Sequence, residues 1–319
     1  MVRMVKTIVF AAIIAMSMAW SEPDPNFHIY IAYGQSNMEG AANAEDGDLV
    51  EHPRFKLIAS QVCDRHHRDT IGAVYPAIPG LSGCGNGISI ADWFGRTMAD
   101  STPKVTIGIV SVAVGGASIK LFDKDQYADY IPTEDWDFQR RVKLYAEDGN
   151  IPQLLVDLGK KAKELGVIKG FIFHQGETDN IDPEWLETVR KTRFDLLEAL
   201  DLSADTVPFV AGQLLRSGSV YPGQVDRLPR IMENTYVVSS EGLGGKDNFH
   251  FTHDSYVEFG KRYAQKMLET QMPEPPTKIY ARKETARHPR KVGAGRAYDL
   301  IGRLLTGNQK SNSHIWRFK

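Results

Sequence analysis

The sequence predicts an α/β fold with a central parallel sheet. Five near-continuous apolar runs have the length of strands rather than of helices. They do not alternate apolar with polar residues, which is typical of parallel strands that are covered on both faces. Segments with helical periodicity lie between several of these runs, so helices should pack on both sides of the sheet. With 319 residues, of which 42% are apolar, the chain is long enough to bury a full core in one sizeable domain.

Residues that typically begin or end helices set the predicted helix boundaries. Asn150 is a good N-cap for a helix that ends before Gly166, and Asp182 with Pro183 should open another helix. A last helix is expected through Tyr256 and Met267. The strands are expected at residues 27–33, 105–114, 168–174, 207–214 and 235–240. In such a sheet the working residues lie beyond the carboxyl ends of the strands.

The amino terminus, residues 1–21, has the pattern of a signal peptide. Arg3 and Lys6 precede an apolar run, and the small residues Ser17, Ala19 and Ser21 follow. The run is short for a membrane span, although an uncleaved anchor is the alternative interpretation. We therefore expect a secreted, periplasmic or cell-surface protein that has no membrane contact after cleavage.

The carboxyl terminus should be separate from the body. Prolines cluster near residue 273, so we predict one globular body at 22–272 and a Pro-rich linker with a basic extension at 273–319. From Lys278 onward, 11 basic residues stand against two acidic ones, a net charge of +9. Because the whole chain carries −2, the remainder carries −11, which does not suggest a nucleic-acid-binding enzyme.

The chain has two cysteines, Cys63 and Cys84. An even count in an exported protein permits a disulfide, but the spacing alone does not decide whether the two residues pair.

A serine and a histidine are candidates for nucleophilic catalysis. Ser36 lies in GQSNM directly after the first predicted strand, but a serine hydroxyl needs a neighbouring base. Asp247 and His250, three residues apart, could supply that base and the carboxylate that orients it. His253 and Asp254 compete for these roles, although Asp254 is better suited to the N-cap of the last helix.

Two further segments could stabilise negative charge on a reacting carbonyl. The strand at 168–174 ends in His-Gln-Gly-Glu, where Gln175 offers an amide N–H and Glu177 could orient a neighbour or a sugar hydroxyl. Another strand ends in Gly115 and Gly116, where a backbone N–H can approach a ligand closely.

The four segments together resemble the SGNH hydrolase superfamily, in the branch that contains carbohydrate esterase family 6 and the sialate O-acetylesterases. That branch carries the blocks GQSNM, GGxSI, HQGE and DxxH, which occur here in order between about residues 27 and 267. The resemblance implies a three-layer, flavodoxin-like fold with a shallow, open site. It also implies that Ser36 is the nucleophile, His250 the general base and Asp247 its orienting carboxylate.

The same resemblance implies an oxyanion hole and its support. Its donors would be the N–H groups of Ser36 and Gly116 and the side chain of Gln175. The choice of Gly116 over Gly115 stays open, and this branch has glutamine where better-known members carry asparagine. The supporting or substrate-binding residues would be Gln35, Asn37 and Glu177.

The function expected from these features is that of a secreted serine esterase that removes O-acetyl groups from carbohydrate. Acetylated xylan is the preferred substrate. A sialate O-acetylesterase, a lipid or aryl esterase and a non-catalytic polysaccharide-binding protein are the alternatives. No metal or other cofactor is expected, because the sequence carries no HExxH, phosphate-loop or CxxC pattern. We expect exposed residues such as Glu177, Tyr75 or Trp93 to recognise the sugar.

Overall fold

A computed structural model describes residues 22–85, 87–218 and 222–271. The predicted signal peptide and the predicted linker and tail lie outside the described residues. No helix in the described ranges is both long and apolar enough to cross a membrane.

The elements alternate along the chain as the sequence predicts. The strands are β1 (Phe27–Gly34), β2 (Ala42–Asn43), β3 (Phe55–Ile58), β4 (Val74–Pro76), β5 (Gly87–Ile88), β6 (Thr106–Ala113), β7 (Val167–His174), β8 (Phe209–Gly212) and β9 (Thr235–Val238). The α-helices are α1 (Ser36–Glu39), α2 (Ile90–Ser101), α3 (Tyr127–Tyr130), α4 (Trp136–Lys143), α5 (Ile151–Leu165), α6 (Trp185–Ala199) and α7 (His253–Gln271). Short 3₁₀ helices lie at Asp64–His66, Ile119–Phe122, Ile131–Thr133 and Pro222–Arg230.

Seven strands form one sheet in the order β4-β3-β6-β1-β7-β8-β9. Every pairing is parallel except that of β4, which runs antiparallel to β3 at one edge. The strands β2 and β5 form a separate antiparallel pair. The predicted α/β fold with a central parallel sheet is confirmed.

The alternation of side chains along β1 divides the core into two layers. Ile29, Ile31 and Tyr33 belong to the cluster that also contains buried residues of α5 and α6. Tyr30 and Ala32 point to the opposite face and join the cluster formed with α2 and α7. Burial of a large apolar side chain contributes about 1.5–3 kcal/mol, so both faces need a cover of helices. The result is the three-layer arrangement that the resemblance implied.

The helix starts follow the expected chemistry with small shifts. Asn150 caps α5 by accepting the N–H of Gln153, as predicted. The helix predicted from Asp182 begins two residues after Pro183, and Asp182 instead accepts the N–H of Glu184 in the preceding turn.

The start of the last helix corrects a prediction. Thr252 precedes α7 and its hydroxyl accepts the N–H of Ser255, so it occupies the cap position that we predicted for Asp254. Asp254 lies in the first turn of α7 and its side chain is fully exposed.

Cys63 and Cys84 form a disulfide, with their Cα atoms 5.2 Å apart. The bond links the loop after β3 to the loop before β5. The open question of their pairing is thereby answered.

Candidate active site

Three central strands end at the same level of the sheet. Gly34, the last residue of β1, pairs with Ala113 of β6 on one side and with His174 of β7 on the other. The three segments that follow these strands are therefore neighbours, although they are far apart in sequence. This edge carries Ser36, the Gly115-Gly116 pair and the segment from Gln175 to Glu177.

The turn that presents Ser36 depends on a close backbone approach at Gly34. A Cβ atom there would lie 2.0 Å from the carbonyl oxygen of His174, so only glycine fits against β7. The N–H of Gln35 then donates to the same carbonyl, at 3.0 Å. The chain turns sharply into the single helical turn of α1, with Ser36 as its first residue.

Ser36, His250 and Asp247 form a continuous hydrogen-bonded chain. Ser36 Oγ lies 2.8 Å from His250 Nε2, and His250 Nδ1 lies 2.8 Å from Asp247 Oδ2. With the imidazole proton on Nδ1, donated to Asp247, Nε2 is the acceptor for the serine hydroxyl. The three side chains predicted from the sequence are brought together in this order.

Asp247 is held in its charged form. Burial raises the pKa of its carboxyl, but hydrogen bonds from the His250 ring and from the N–H groups of Phe249 and His250 outweigh it and lower the pKa to about 2. Both backbone donors lie 2.8 Å from Oδ1. The carboxylate thus orders the short loop and orients the imidazole at the same time.

The competing pair lies elsewhere. His253 Nε2 is 2.7 Å from Asp48 Oδ2, and its Nδ1 contacts the side chains of Glu45 and Asp254. Neither His253 nor Asp254 lines the cavity around Ser36.

Asn37 connects the serine turn to the histidine loop. Its amide nitrogen donates to Glu177 Oε1 at 2.6 Å and to the carbonyl of Phe249 at 3.0 Å. Its oxygen accepts the hydroxyl of Tyr256. Asn37 is fully buried, so it fixes the position of the loop relative to the nucleophile rather than contacting a substrate.

The glycine pair differs in its hydrogen bonding. The N–H of Gly115 donates to Glu39 Oε2 at 2.8 Å and is therefore occupied. The N–H groups of Ser36 and Gly116 donate to no acceptor among the described residues. Gly116 has a left-handed φ of 79° and open space where a Cβ would lie. This geometry favours Gly116 over Gly115 as a donor to a ligand.

The position of Gln175 does not agree with the prediction that it completes the oxyanion hole. Its side chain is fully buried; the amide nitrogen donates to the carbonyl of Ala117 and to Asp179 Oδ2, and its oxygen accepts the indole N–H of Trp185. Both amide hydrogens are therefore engaged. Asp179 in turn accepts the N–H of Ile119, so Gln175 fastens the segment after β7 to the segment after β6.

Glu177 has a mixed environment. Its carboxylate side chain is 3% exposed, and Oε1 contacts both Asn37 and His174, which are themselves buried. The other oxygen, Oε2, has no hydrogen-bond partner among the described residues. Through its contact with Asn37 the residue supports the turn that carries Ser36, and it also lines the cavity around Ser36.

Gln35 ties the end of β1 to the segment after β7. Its side-chain oxygen accepts the N–H of Gly176 at 3.2 Å and that of Thr178 at 3.4 Å. Gln35 is almost completely buried and still lines the cavity.

An open cavity of about 510 Å³ lies over the serine; we call it the catalytic cavity. It is lined by Gln35, Ser36, Gly115, Gly116, Arg141, Glu177, Thr178, Phe249 and His250. Three of these residues, Arg141, Thr178 and Phe249, were not predicted from the sequence. Phe249 lies within the DxxH block, which could have indicated it, whereas nothing around Arg141 in the sequence points to a site.

Two residues proposed for sugar recognition lie away from this cavity. The hydroxyl of Tyr75 contacts Asp69 at 2.6 Å, at the edge strand β4. Trp93 on α2 donates its indole N–H to Asp48. Neither lines the catalytic cavity, so that part of the expectation is wrong for Tyr75 and Trp93.

One group of carboxylates has a spacing that could suit a metal ion. Side-chain oxygens of Asp123, Asp125 and Asp195 lie within 4.8 Å of one another. The ammonium group of Lys191 contacts all three, at 2.6, 2.7 and 2.8 Å, so a cationic side chain already lies among them and offsets part of their charge. The cluster does not line the catalytic cavity.

Comparison with known families decides the classification. Residues 26–269 match the model of the family described as carbohydrate esterase, sialic acid-specific acetylesterase. The chain belongs to this family. Membership in the sialic acid-specific acetylesterase family supports an ester hydrolase that removes O-acetyl groups from carbohydrate.

Two solved structures share the fold at low sequence identity, and a third gives a weaker match. A protein from Arabidopsis thaliana is 20% identical, with a TM-score of 0.54, and the match covers 77% of this chain and 98% of that one. NanS is 15% identical, with a TM-score of 0.55 and the same coverage of both chains. A carbohydrate acetylesterase from Xanthomonas citri is 19% identical, with a TM-score of 0.48, over 74% of this chain and 55% of that one.

Proposed function

We propose that this chain is a secreted serine esterase that removes O-acetyl groups from carbohydrate, with acetylated xylan as its main substrate. The observation that carries the proposal is the chain of two 2.8 Å contacts from Ser36 through His250 to Asp247, at the floor of an open cavity. An intact set of nucleophile, base and orienting carboxylate also disfavours the alternative of a protein that only binds polysaccharide.

The first half of the reaction transfers the acetyl group to the enzyme. Ser36 Oγ attacks the acetyl carbonyl carbon while its proton passes to His250 Nε2, and a tetrahedral intermediate with a negatively charged oxygen forms. The bond to the sugar oxygen then breaks, and the sugar hydroxyl leaves with the proton that His250 held. Asp247 keeps the imidazole oriented and stabilises its charged form.

The second half releases acetate. Water attacks the acetyl group on Ser36 and gives a proton to His250, and collapse of the second intermediate returns the proton to Ser36 Oγ. No step requires a metal ion or a redox cofactor.

The N–H groups of Ser36 and Gly116 are the donors we propose for the developing oxyanion. Both belong to segments that line the catalytic cavity, and neither has an acceptor among the described residues. A single such donor typically contributes about 10²–10³ in rate. We assign Gln175 a positioning role, since its amide is fully engaged below the cavity.

An open cavity favours esters with a small acyl group and a large alcohol. The polymer backbone would remain largely outside, so a neutral polysaccharide such as acetylated xylan suits an acidic, exported body. The exposed side chain of Phe249 offers an apolar surface to the substrate next to His250.

A sialate O-acetylesterase is the second candidate. The family match favours it, and Arg141 places a guanidinium in the cavity wall, where it could pair with the carboxylate of an acidic sugar. The lipid or aryl esterase alternative has no comparable support.

Acetate release, measured side by side, tests the proposal. The substrates are acetylated xylan, acetylated sialic acid, and aryl acetate and octanoate esters, with Ser36→Ala as the control. We expect release from xylan that disappears in the variant. Preference for the octanoate with no acetate from xylan would contradict the carbohydrate assignment, and preference for the acetylated sialic acid would favour the second candidate.

A further inference from the structure

A second cavity adjoins the catalytic cavity, and we call it the side cavity. It has the same volume, about 510 Å³, and it is lined by residues of α4, by Gln61 and by the loop that contains Cys84. Arg141 lines both cavities. Since the catalytic cavity has space for an acetylated sugar, the side cavity has space for another sugar next to it.

The wall between the two cavities is fixed by hydrogen bonds around Gly115. Arg141 Nη1 donates to the carbonyl of Gly115 at 2.9 Å, while the N–H of Gly115 donates to Glu39. Arg141 Nε is held in turn by Asp137 at 3.0 Å. This network gives the boundary between the two cavities a defined shape, with Arg141 lining both of them.

The side cavity has the polar, rigid lining that sugar hydroxyl groups require. Gln61 is only 8% exposed and presents a side-chain amide to it. The disulfide between Cys63 and Cys84 constrains the loop on the far side. Pockets of this kind combine a few fixed polar groups with apolar surface.

An exposed surface of α4 and of the residue that follows it continues from the side cavity; we call it the α4 stripe. Trp136 and Arg140 of α4 and the C-cap residue Leu144 are spaced four residues apart and therefore lie on one face of the helix. Trp136 is 74% exposed and Leu144 is 53% exposed. The guanidinium of Arg140 lies 5.7 Å from the Trp136 ring, and Arg140 and Leu144 both line the side cavity. An exposed apolar surface beside a polar pocket indicates a binding surface, and an aromatic ring suits the C–H face of a sugar.

We propose that the side cavity and the α4 stripe bind the sugar residues that adjoin the acetylated one, so that the enzyme acts on oligomers and polymers rather than on single sugars. This inference rests on the proposed function, because it takes Ser36 as the point of deacetylation. It predicts that kcat/KM increases with chain length.

The test compares an acetylated xylose monosaccharide, an acetylated xylotetraose and an aryl acetate. In the wild-type protein we expect kcat/KM for the tetraose to exceed that for the monosaccharide by about tenfold or more, since contacts with remote sugars contribute to transition-state binding. The double variant Trp136→Ala/Leu144→Ala should lose most of that preference. Its activity on the monosaccharide and the aryl acetate should stay within about twofold of wild type.

A matched control is Phe194→Ala, which removes another exposed aromatic side chain, 59% exposed, from α6. It should change none of the three activities. Equal kcat/KM for monosaccharide and tetraose, a preference for a single acetylated sialic acid, or an unchanged preference in the double variant would overturn the inference.

The two proposals fail in different ways. Ser36→Ala should abolish activity on every substrate if the proposed function is right. Ser36-dependent activity without chain-length dependence would refute only the proposed role of the side cavity in sugar binding. Activity that survives Ser36→Ala would refute the assignment of Ser36 as the nucleophile.

Discussion

Two histidine–carboxylate pairs in this protein have the same spacing and different surroundings. His174 and Glu177 are three residues apart, as are Asp247 and His250. The side chains of the first pair are 0% and 3% exposed, and the histidine ring is enclosed by Phe251 and Phe259. Those of the second pair are 25% exposed for His250 and 44% for Asp247.

The third partner of each histidine shows what separates them. The free nitrogen of His174 contacts the buried hydroxyl of Tyr263 at 3.2 Å, whereas that of His250 contacts Ser36 at the floor of a cavity. Sequence spacing alone therefore does not identify a catalytic pair. What identifies it is access to the substrate together with a nucleophilic third residue in contact with the histidine.

Removal of the exposed histidine should have the largest effect on activity. We expect His250→Ala to lower kcat by about 10⁴-fold or more, since no base remains for Ser36. The thermal midpoint should change little because the side chain is partly exposed. His253→Ala is the matched control and should retain activity within about tenfold. If the control variant loses activity and the His250 variant does not, the assignment is reversed.

Neutralisation of the exposed carboxylate should have the next largest effect. Asp247→Asn should lower kcat by about 10²–10⁴-fold, because the imidazole loses its charged partner and its preferred tautomer. The pKa of Asp247 is lowered to about 2, so its carboxylate is charged above about pH 4. The loss of wild-type activity at acidic pH should therefore begin well above the pH range in which Asp247 is protonated. A pH–rate profile of kcat/KM with an acid limb that tracks a group titrating near pH 2 would contradict this.

Truncation of the buried histidine should affect stability more than chemistry. His174→Ala leaves a cavity and removes the partner of Glu177, so we expect a loss of about 3 kcal/mol in the free energy of unfolding. The folded fraction should keep kcat within about tenfold of wild type. Denaturant unfolding monitored together with aryl acetate hydrolysis checks both values. An unchanged stability with kcat lowered by several orders would mean that the buried pair participates in the reaction.

The ion pair between His253 and Asp48 gives the smallest predicted effect, which is on stability. Burial lowers the pKa of His253, but hydrogen bonds to Asp48 and Asp254 outweigh it, so its pKa lies above the ordinary value of 6.5. A raised pKa in the folded state stabilises the protein fully below pH 6.5, and this contribution disappears as the pH rises through the folded pKa. The contribution should be below about 1 kcal/mol.

Thermal midpoints at about pH 6 and about pH 9 measure this effect. Wild type should exceed His253→Gln by a larger margin at the lower pH. An equal margin at both values would show that the charge of His253 makes no contribution to stability.

The sequence predicted the centre of the sheet better than its edges. The buried strands β1, β6 and β7 are continuous apolar runs, and each lies within one residue of its predicted bounds. The strand β3 has only four residues and β4 only three, too few for a clear pattern. The helix α2 was missed as well; its apolar face is interrupted by Gly95, against which the ring of Phe55 packs.

At the site, the sequence indicated which residues assemble but not which way each points. Ser36, Asp247 and His250 lie at element ends where direction is constrained by the strand or by a short loop. Gln175 lies equally close to the end of β7, but its side chain turns toward Trp185, a contact set by the packing of α6. Arg141 reaches the cavity from a helix whose placement depends on tertiary contacts, so local sequence carried no signal for it.

In the proposed mechanism, Ser36 carries the acetyl group during the reaction. The most direct measurement is peptide mapping by mass spectrometry after rapid acid quench of the enzyme during turnover of an aryl acetate. We expect one acetyl group, on the peptide that contains Ser36, and none in the Ser36→Ala protein. An acetyl group on another residue that turns over at the catalytic rate, or full acetate release by Ser36→Ala, would contradict the account.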